Sequence, residues 1–184
     1  DFRDHLSQGQ PLYNRKTLEE YVPAELDLFK KISPDLVIGD FRISLGISTE
    51  IAKIPYASIA NAFWSPQSTV KKIVPDLDFT KYTGRGLGQL IFNLAYPIAA
   101  RFSHSHGFNA VRKAYGLTPF KSLEEIYTYG EWTLFTDIPS LAPTKYLLEH
   151  QQYMGPVLDM PQIEQPQWWQ QWPADKPIIY VGLG

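Results

Sequence analysis

Apolar residues recur at steps of three and four from Leu18: Leu18, Tyr21, Val22, Leu26, Phe29 and Ile32. Glu25 is the one polar residue on that face. The spacing predicts an amphipathic helix. Thr17-Leu18-Glu19-Glu20 reads as a capping box at its start, with the Thr17 hydroxyl accepting from the Glu20 N–H. Ser33-Pro34 ends it, because proline disfavours helix in the residue before it. The period then changes. Asp35-Leu36-Val37-Ile38-Gly39-Asp40 is a short apolar core between polar residues and reads as a buried strand. Ile43, Ile47 and Ile51 restore helical spacing over 43–53, and Ile54-Pro55-Tyr56-Ala57-Ser58-Ile59-Ala60 reads as a second strand. Helix, strand, helix, strand in quick succession predicts an α/β layer with parallel strands.

Farther along, residues 61–85 read as an aromatic loop holding Asn61, Phe63, Trp64, Pro66 and Pro75, and residues 87–115 as helix with a bend at Pro97. Ser122-Leu123-Glu124-Glu125 is a second capping box before a short helix. Residues 132–136 and 152–154 read as strands. Pro156, Pro161 and Pro166 mark a linker, and Trp168, Trp169 and Trp172 read as aromatics anchoring it to a core. Ile178-Ile179-Tyr180-Val181 reads as a strand running into Gly182-Leu183-Gly184. Such a strand normally opens onto a helix in nucleotide-binding α/β units, so a second domain is expected to begin there. The expected division is a Rossmann-like parallel sheet with flanking helices over 1–155, a linker over 156–176, and the first strand of the next domain over 177–184.

Composition narrows the class. The chain has 184 residues, 44% hydrophobic and 20% charged, inside the range of ordinary globular domains. It has no cysteine, which excludes a disulfide scaffold, a thiolate metal site and a cysteine nucleophile. Net charge is −2, far from the basic balance of a nucleic-acid binder. The charge is uneven: residues 61–115 carry 7 Lys or Arg against 2 Asp or Glu, and residues 116–184 carry 3 against 8. The basic stretch reads as a solvated surface balanced by the acidic one, or as a face for anionic lipid or an acidic ligand. The uncharged run from Gly86 to Ala100 is 15 residues, short of the roughly 20 a spanning helix needs. With a charged opening, Asp1-Phe2-Arg3-Asp4-His5, the expected location is cytoplasmic, with room for peripheral membrane contact.

Candidate chemistry gathers where the first two strands end. Asp40 closes the first strand, at the edge where open α/β sheets bind ligands. A carboxylate there can orient and charge-stabilise a histidine acting as general base. It can also cap a helix beginning near Arg42, and the residues alone favour the cap. Asn61, Phe63, Trp64 and Ser65 follow the second strand onto the same edge. Their mixture suits an apolar ligand with a few hydroxyls, and equally a loop packing its aromatics on the core. His104 and His106 point to different faces of a helix and share no metal there, and His5 and His150 are isolated. Asp76-Leu77-Asp78 matches an Asp-x-Asp pattern that some transferases use for a divalent metal and a diphosphate, although its place after Pro75 suits a solvated turn. Gly182 and Gly184 would let the backbone approach a phosphate.

Taken in order, three passages are similar to the two-domain GT-B glycosyltransferases of the UDP-glycosyltransferase superfamily, nearest the macrolide-glycosyltransferase-like branch. The first is Pro34-Asp35-Leu36-Val37-Ile38-Gly39-Asp40-Phe41-Arg42, with Ile54-Pro55-Tyr56 and Asn61-Ala62-Phe63-Trp64-Ser65-Pro66. The second is Tyr153-Met154-Gly155-Pro156. The third is Trp168-Trp169 and Asp175-Lys176-Pro177-Ile178-Ile179-Tyr180-Val181-Gly182-Leu183-Gly184. The resemblance implies part of an N-terminal, acceptor-binding domain from an inverting, metal-independent enzyme. It implies Asp40 as partner of a catalytic histidine that would lie upstream of Asp1, which reverses the preference for a cap. It further implies Phe41, Arg42, Asn61, Phe63 and Trp64 on the acceptor side, and Gly182 and Gly184 at the start of the donor diphosphate site. No cofactor is implied beyond a nucleotide-sugar donor, UDP-linked. The acceptor implied is a lipophilic molecule with a free hydroxyl: a macrolide, a sterol or carotenoid-like lipid, or a hydroxylated fatty acyl chain. The isolated chain is expected to be inactive. Against this stand a non-enzymatic α/β module binding a hydrophobic ligand or partner protein, and a metal-dependent transferase using Asp76 and Asp78.

Overall fold

The computed structural model describes residues 13–75, 78–103, 105–158, 164, 166–171, 173, 175–179 and 181. Its elements run α1 (Arg15–Ile32), β1 (Val37–Asp40), α2 (Leu45–Ala52), β2 (Tyr56–Ala60), a 3₁₀ turn (Ala62–Trp64), α3 (Asp78–Ser103), α4 (Ser105–Ala114), α5 (Leu123–Tyr127), β3 (Trp132–Phe135), β4 (Gln151–Tyr153) and a second 3₁₀ turn (Gln167–Gln171). The four strands form one sheet in sequential order, parallel throughout. Helices flank it, so the chain is α/β and Rossmann-like. Parallel pairing puts the C-terminal ends of all four strands on one edge, which makes that edge the natural ligand-binding rim.

The first helix begins earlier than the capping box suggests. Asn14 is the N-cap, and its side chain accepts from the Thr17 N–H at 2.9 Å and from the Thr17 hydroxyl at 3.1 Å. Asn is at least as good a cap as Thr, and it occupies the position first. The helix ends as the sequence predicts, with Ser33 in the left-handed region donating to the Phe29 carbonyl. The second capping box forms by half: Ser122 Oγ accepts from the Glu125 N–H, but the Glu125 carboxylate accepts from the Lys121 N–H, one residue before the cap.

One layer of helices covers one face of the sheet. Leu18 and Val22 of α1, Ile47 of α2, Phe108 and Val111 of α4 and Ile126 of α5 make one buried cluster. Phe29, Leu45 and Tyr56 make a second, and Ala60, Ala62, Phe135 and Ala142 a third. Gly39 suits this packing: a Cβ there would push the tip of the Leu45 side chain aside and press on the Tyr56 ring. On the opposite face Ile38 and Trp132 are 59% and 47% exposed and Asp40 and Gln152 are also exposed, while Ala57 between them is buried. The first strand is therefore buried on one side only. An apolar run of four residues cannot distinguish two-sided from one-sided burial.

Three other expectations change. The helix predicted from residue 87 begins at Asp78, and its non-helical residue is Gly84 (φ 74°, ψ 162°) rather than Pro97. Two glycines within three residues, Gly84 and Gly86, make a short helical turn and a kink look like loop. Residues 177–179 and 181 are not in a strand, and Ile179 and Val181 are exposed. Trp168, in the second 3₁₀ turn, is exposed rather than sunk in a core.

Candidate functional site

The rim is built around Tyr127, the last residue of α5. Its ring lies 4.9 Å from that of Phe41 and 5.2 Å from that of Trp64, and Trp64 meets Phe63 edge-on at 5.1 Å. Three side chains predicted for the site, from the corners after β1 and β2, thus meet in one aromatic cluster. Edge-to-face and tilted geometry is the favoured arrangement for such rings. Burial, reinforced by Tyr96 and Glu124, pushes the Tyr127 phenol up to about 12, so it is neutral and a hydrogen-bond donor at any physiological pH. A narrow cavity runs beneath Phe41, between Ile43, Tyr56, Ser58, Tyr127 and Tyr129. Ser58 Oγ is the one buried side-chain polar atom among the described residues without a hydrogen-bond partner.

Asp40 stands beside this cluster. It is exposed, at the C-terminal end of β1, in register with Ile59 of β2. It does not cap a helix: α2 begins at Leu45 behind Ser44, which makes no side-chain capping bond. The next residue, Phe41, has φ of 48°. A bulky residue there costs on the order of 1–3 kcal/mol and is held only where its surroundings over-determine it. The surroundings are visible: the Phe41 N–H donates to the Ile59 carbonyl at 3.2 Å, and its ring is packed on Tyr127.

Arg42 turns the other way, into a support that the predicted site did not include. Its Nε donates to Glu25 of α1 at 2.8 Å, and its guanidinium lies 4.6 Å from the Tyr21 ring centre. Glu25 is buried and also accepts from Ser44 Oγ at 2.6 Å and Ser48 Oγ at 2.7 Å. Three donors at the N-terminal end of α2 satisfy this carboxylate. They tie α1 to the corner that carries Asp40 and Phe41. Burial, then Glu25, Tyr13 and Asp40, push the neighbouring Tyr56 phenol above its ordinary range.

Asn61 is exposed at the end of β2 and directs Nδ2 toward Thr136 and Asp137 at 3.4 and 3.5 Å. Asp137 accepts from the Ala62 N–H at 2.5 Å. It starts the 3₁₀ turn that presents Phe63 and Trp64, from the end of the neighbouring strand. Gly182 and Gly184 lie outside the described residues, as do Asp76, His5 and His104. Asp78 opens α3. His150 precedes β4, at the opposite edge of the sheet, and His106 lies on α4.

No family model matches the chain. It is similar to curated mycobacterial proteins along its whole length. An "inactive PGL/p-HBAD biosynthesis glycosyltransferase" of Mycobacterium bovis is 38% identical over 180 residues, 97% of this chain and 49% of that protein. A "PGL/p-HBAD biosynthesis glycosyltransferase" of Mycobacterium tuberculosis is 38% identical over 180 residues, 97% of this chain and 42% of that protein. A "PGL/p-HBAD biosynthesis rhamnosyltransferase" of Mycobacterium tuberculosis is 41% identical over 184 residues, all of this chain and 40% of that protein. The matched proteins are glycosyltransferases. The chain spans between two-fifths and half of the length of these curated relatives. The inactive relative is the shorter of the first two, since the same 180 residues fill more of it.

Proposed function

We propose that this chain forms the acceptor side of an inverting glycosyltransferase of the GT-B type, which moves a sugar from a UDP-linked donor to a hydroxyl of a lipophilic acceptor without a metal. The observation that carries the reading is the identity of 38–41% to glycosyltransferases over at least 97% of the chain. The rim adds chemical sense. Its aromatic cluster offers an apolar wall to an acceptor, and Asp40 offers an exposed carboxylate beside it.

In a single displacement, the acceptor hydroxyl attacks the anomeric carbon as the bond to the nucleotide diphosphate breaks. The hydroxyl proton passes to a histidine base, and Asp40 orients that imidazole and stabilises its positive charge. Phe41, Phe63 and Trp64 hold the acceptor body. Asn61 contributes a hydrogen bond at the rim, and Arg42 serves by fixing the corner through Glu25. Residues 177–184 begin the donor domain, with Gly182 and Gly184 at the diphosphate.

The test is transfer from radiolabelled nucleotide sugars to lipid extracts by the complete protein, with Asp40→Asn as comparison. Transfer that falls by about a hundredfold or more in the variant supports the assignment, in the range of a lost acid–base element. Equal turnover by the variant removes Asp40 from the chemistry. Absence of any transfer by the complete protein across donors refutes the enzymatic reading.

A further inference from the structure

The cavity beneath Phe41 is walled by large side chains, among them Ile43, Ile126, Tyr127 and Tyr129, and by two small residues, Ser58 of β2 and Gly46 of α2. It is open to water-sized groups over about 10 Å³, which is room for roughly one such group. Polar side chains around it are engaged elsewhere. Arg42 donates to Glu25 at 2.8 Å, and the Tyr129 hydroxyl donates to Glu50 at 2.9 Å. Thr133, the partner of Ser58 across the sheet, donates to the Thr128 carbonyl at 2.9 Å. Ser58 is the exception: it is 3% exposed and its Oγ has no partner. A buried hydroxyl in that state costs stability and calls for a partner that the fold does not supply.

The size and lining of the space restrict that partner. A carboxylate or phosphate is too large, and apolar walls would leave its charge unpaired. A single hydroxyl fits, since it can both donate to and accept from Ser58 Oγ.

Position says where such a hydroxyl comes from. Phe41 and Tyr127 line the cavity and also belong to the aromatic cluster of the rim. Phe41 sits there with φ of 48°, and backbone strain of this kind gathers at ligand sites. The cavity is nevertheless not where sugar would be transferred. Side chains alternate between the two faces of a strand. Gly39 and Ser58, paired in register, belong to the helix-covered side, and Asp40 belongs to the other. A group seated on Ser58 is therefore not the one whose proton passes to a base held by Asp40.

We propose that the Ser58 cavity is a specificity pocket of the acceptor site, taking one hydroxyl of the acceptor other than the hydroxyl that reacts. Ser58 is then a specificity-determining residue, and the acceptor carries a second hydroxyl as an anchor. This rests on the acceptor-side reading given above. Water offers the same hydrogen bond, so the test separates the two sources.

The probes are octanol and octanediol, with a hydroxyl at one end or at both, titrated calorimetrically into the complete protein and its Ser58→Ala variant. The variant is expected to shift the ratio of the two affinities toward octanol by about five- to tenfold, the worth of one neutral hydrogen bond. An unchanged ratio, or no binding of either probe, overturns the proposal. Urea unfolding without ligand tests for water. Ser58→Ala should unfold at the same urea concentration as the parent or a higher one, because the hydroxyl it loses has no partner in the empty protein. A lower midpoint means that a buried water already satisfies Ser58, and overturns the proposal. The ratio is read without turnover, so the two readings fail separately. An unshifted ratio in an enzyme that transfers sugar removes only this pocket, and a shifted ratio in a protein that transfers none removes only the reaction.

Discussion

Helices α1 and α3 carry the same kind of pattern and use it in opposite directions. In α1, Leu18 and Val22 are fully buried and Lys30, Lys31 and Glu19 face water. In α3, Leu87, Leu90, Ile91, Leu94 and Ile98 form an exposed aliphatic stripe and Gln89, Phe92 and Tyr96 face in. Spacing establishes that a helix has two unlike faces. Which face meets the protein depends on what lies opposite, and that is a property of the fold. Opposite α1 are α2 and α4, which supply Ile47, Phe108 and Val111. Opposite α3 is a loop, residues 71–75, whose backbone groups need hydrogen-bond partners. Gln89 provides them, and an aliphatic side chain at that position could not.

The contrast is broken most directly by truncating one residue of each stripe. Leu18→Ala is expected to cost about 3 kcal/mol, because it empties a fully buried site shared with Val22 and Ile47. Leu94→Ala should change stability by no more than about 0.5 kcal/mol, as surface substitutions do. Urea unfolding of the two variants decides it. Comparable losses would mean that the outward stripe is packed in the folded protein, and the distinction between the helices would fail.

The inward polar groups sharpen the comparison. Glu25 interrupts the apolar face of α1 and is buried with three donors, whereas Gln89 is half-buried and bonds mainly to backbone. Removing the charge with Glu25→Gln leaves Arg42 without its anion and the two serines with a poorer acceptor. A loss of about 2 kcal/mol is expected, discounted from the full cost of breaking a buried pair because the Arg42 side chain is 44% exposed. Gln89→Ala should cost about 1 kcal/mol, the usual size of a neutral hydrogen-bond loss. Denaturant midpoints rank the two, and a larger effect at Gln89 would reverse the assignment of α1 as the better-anchored helix.

Much of this was legible beforehand where local signals suffice. The strands were found because short apolar runs between polar residues followed helical spacing. Asp40, Phe63 and Trp64 are readable because the ends of parallel strands share an edge, a rule that needs only strand order and direction, whereas Phe41 enters only through the resemblance. Tyr127 and Asp137 were not picked. They reach the rim from α5 and from the end of β3, more than sixty positions beyond Trp64, and nothing local marks them. Glu25 did leave a trace as the polar exception on an apolar face, but its partners Ser44 and Ser48 became readable only once α1 lay on α2. The one-sided burial of β1 is hidden for a similar reason: Ile38 and Gly39 look alike to a pattern of apolar positions, although one is exposed and the other is covered by Leu45.

At the two glycines that open α3 the effects are modest, and there the sign is informative. Gly84 has φ of 74° and ψ of 162°, a region in which essentially only glycine is comfortable. Gly86 has helical backbone and open space where a Cβ would go. Gly84→Ala should therefore destabilise by about 1–2 kcal/mol even though an added methyl meets nothing within 4 Å. Gly86→Ala should stabilise by about 0.5–1 kcal/mol through helix propensity alone. Thermal unfolding of the pair reads both. Opposite signs fix the kink at Gly84 as the point where the chain turns to lay the Leu/Ile stripe along the surface. Stabilisation by both would mean that the helix runs straight through Gly84, which would carry the stripe onto a different line from the one that starts at Leu87.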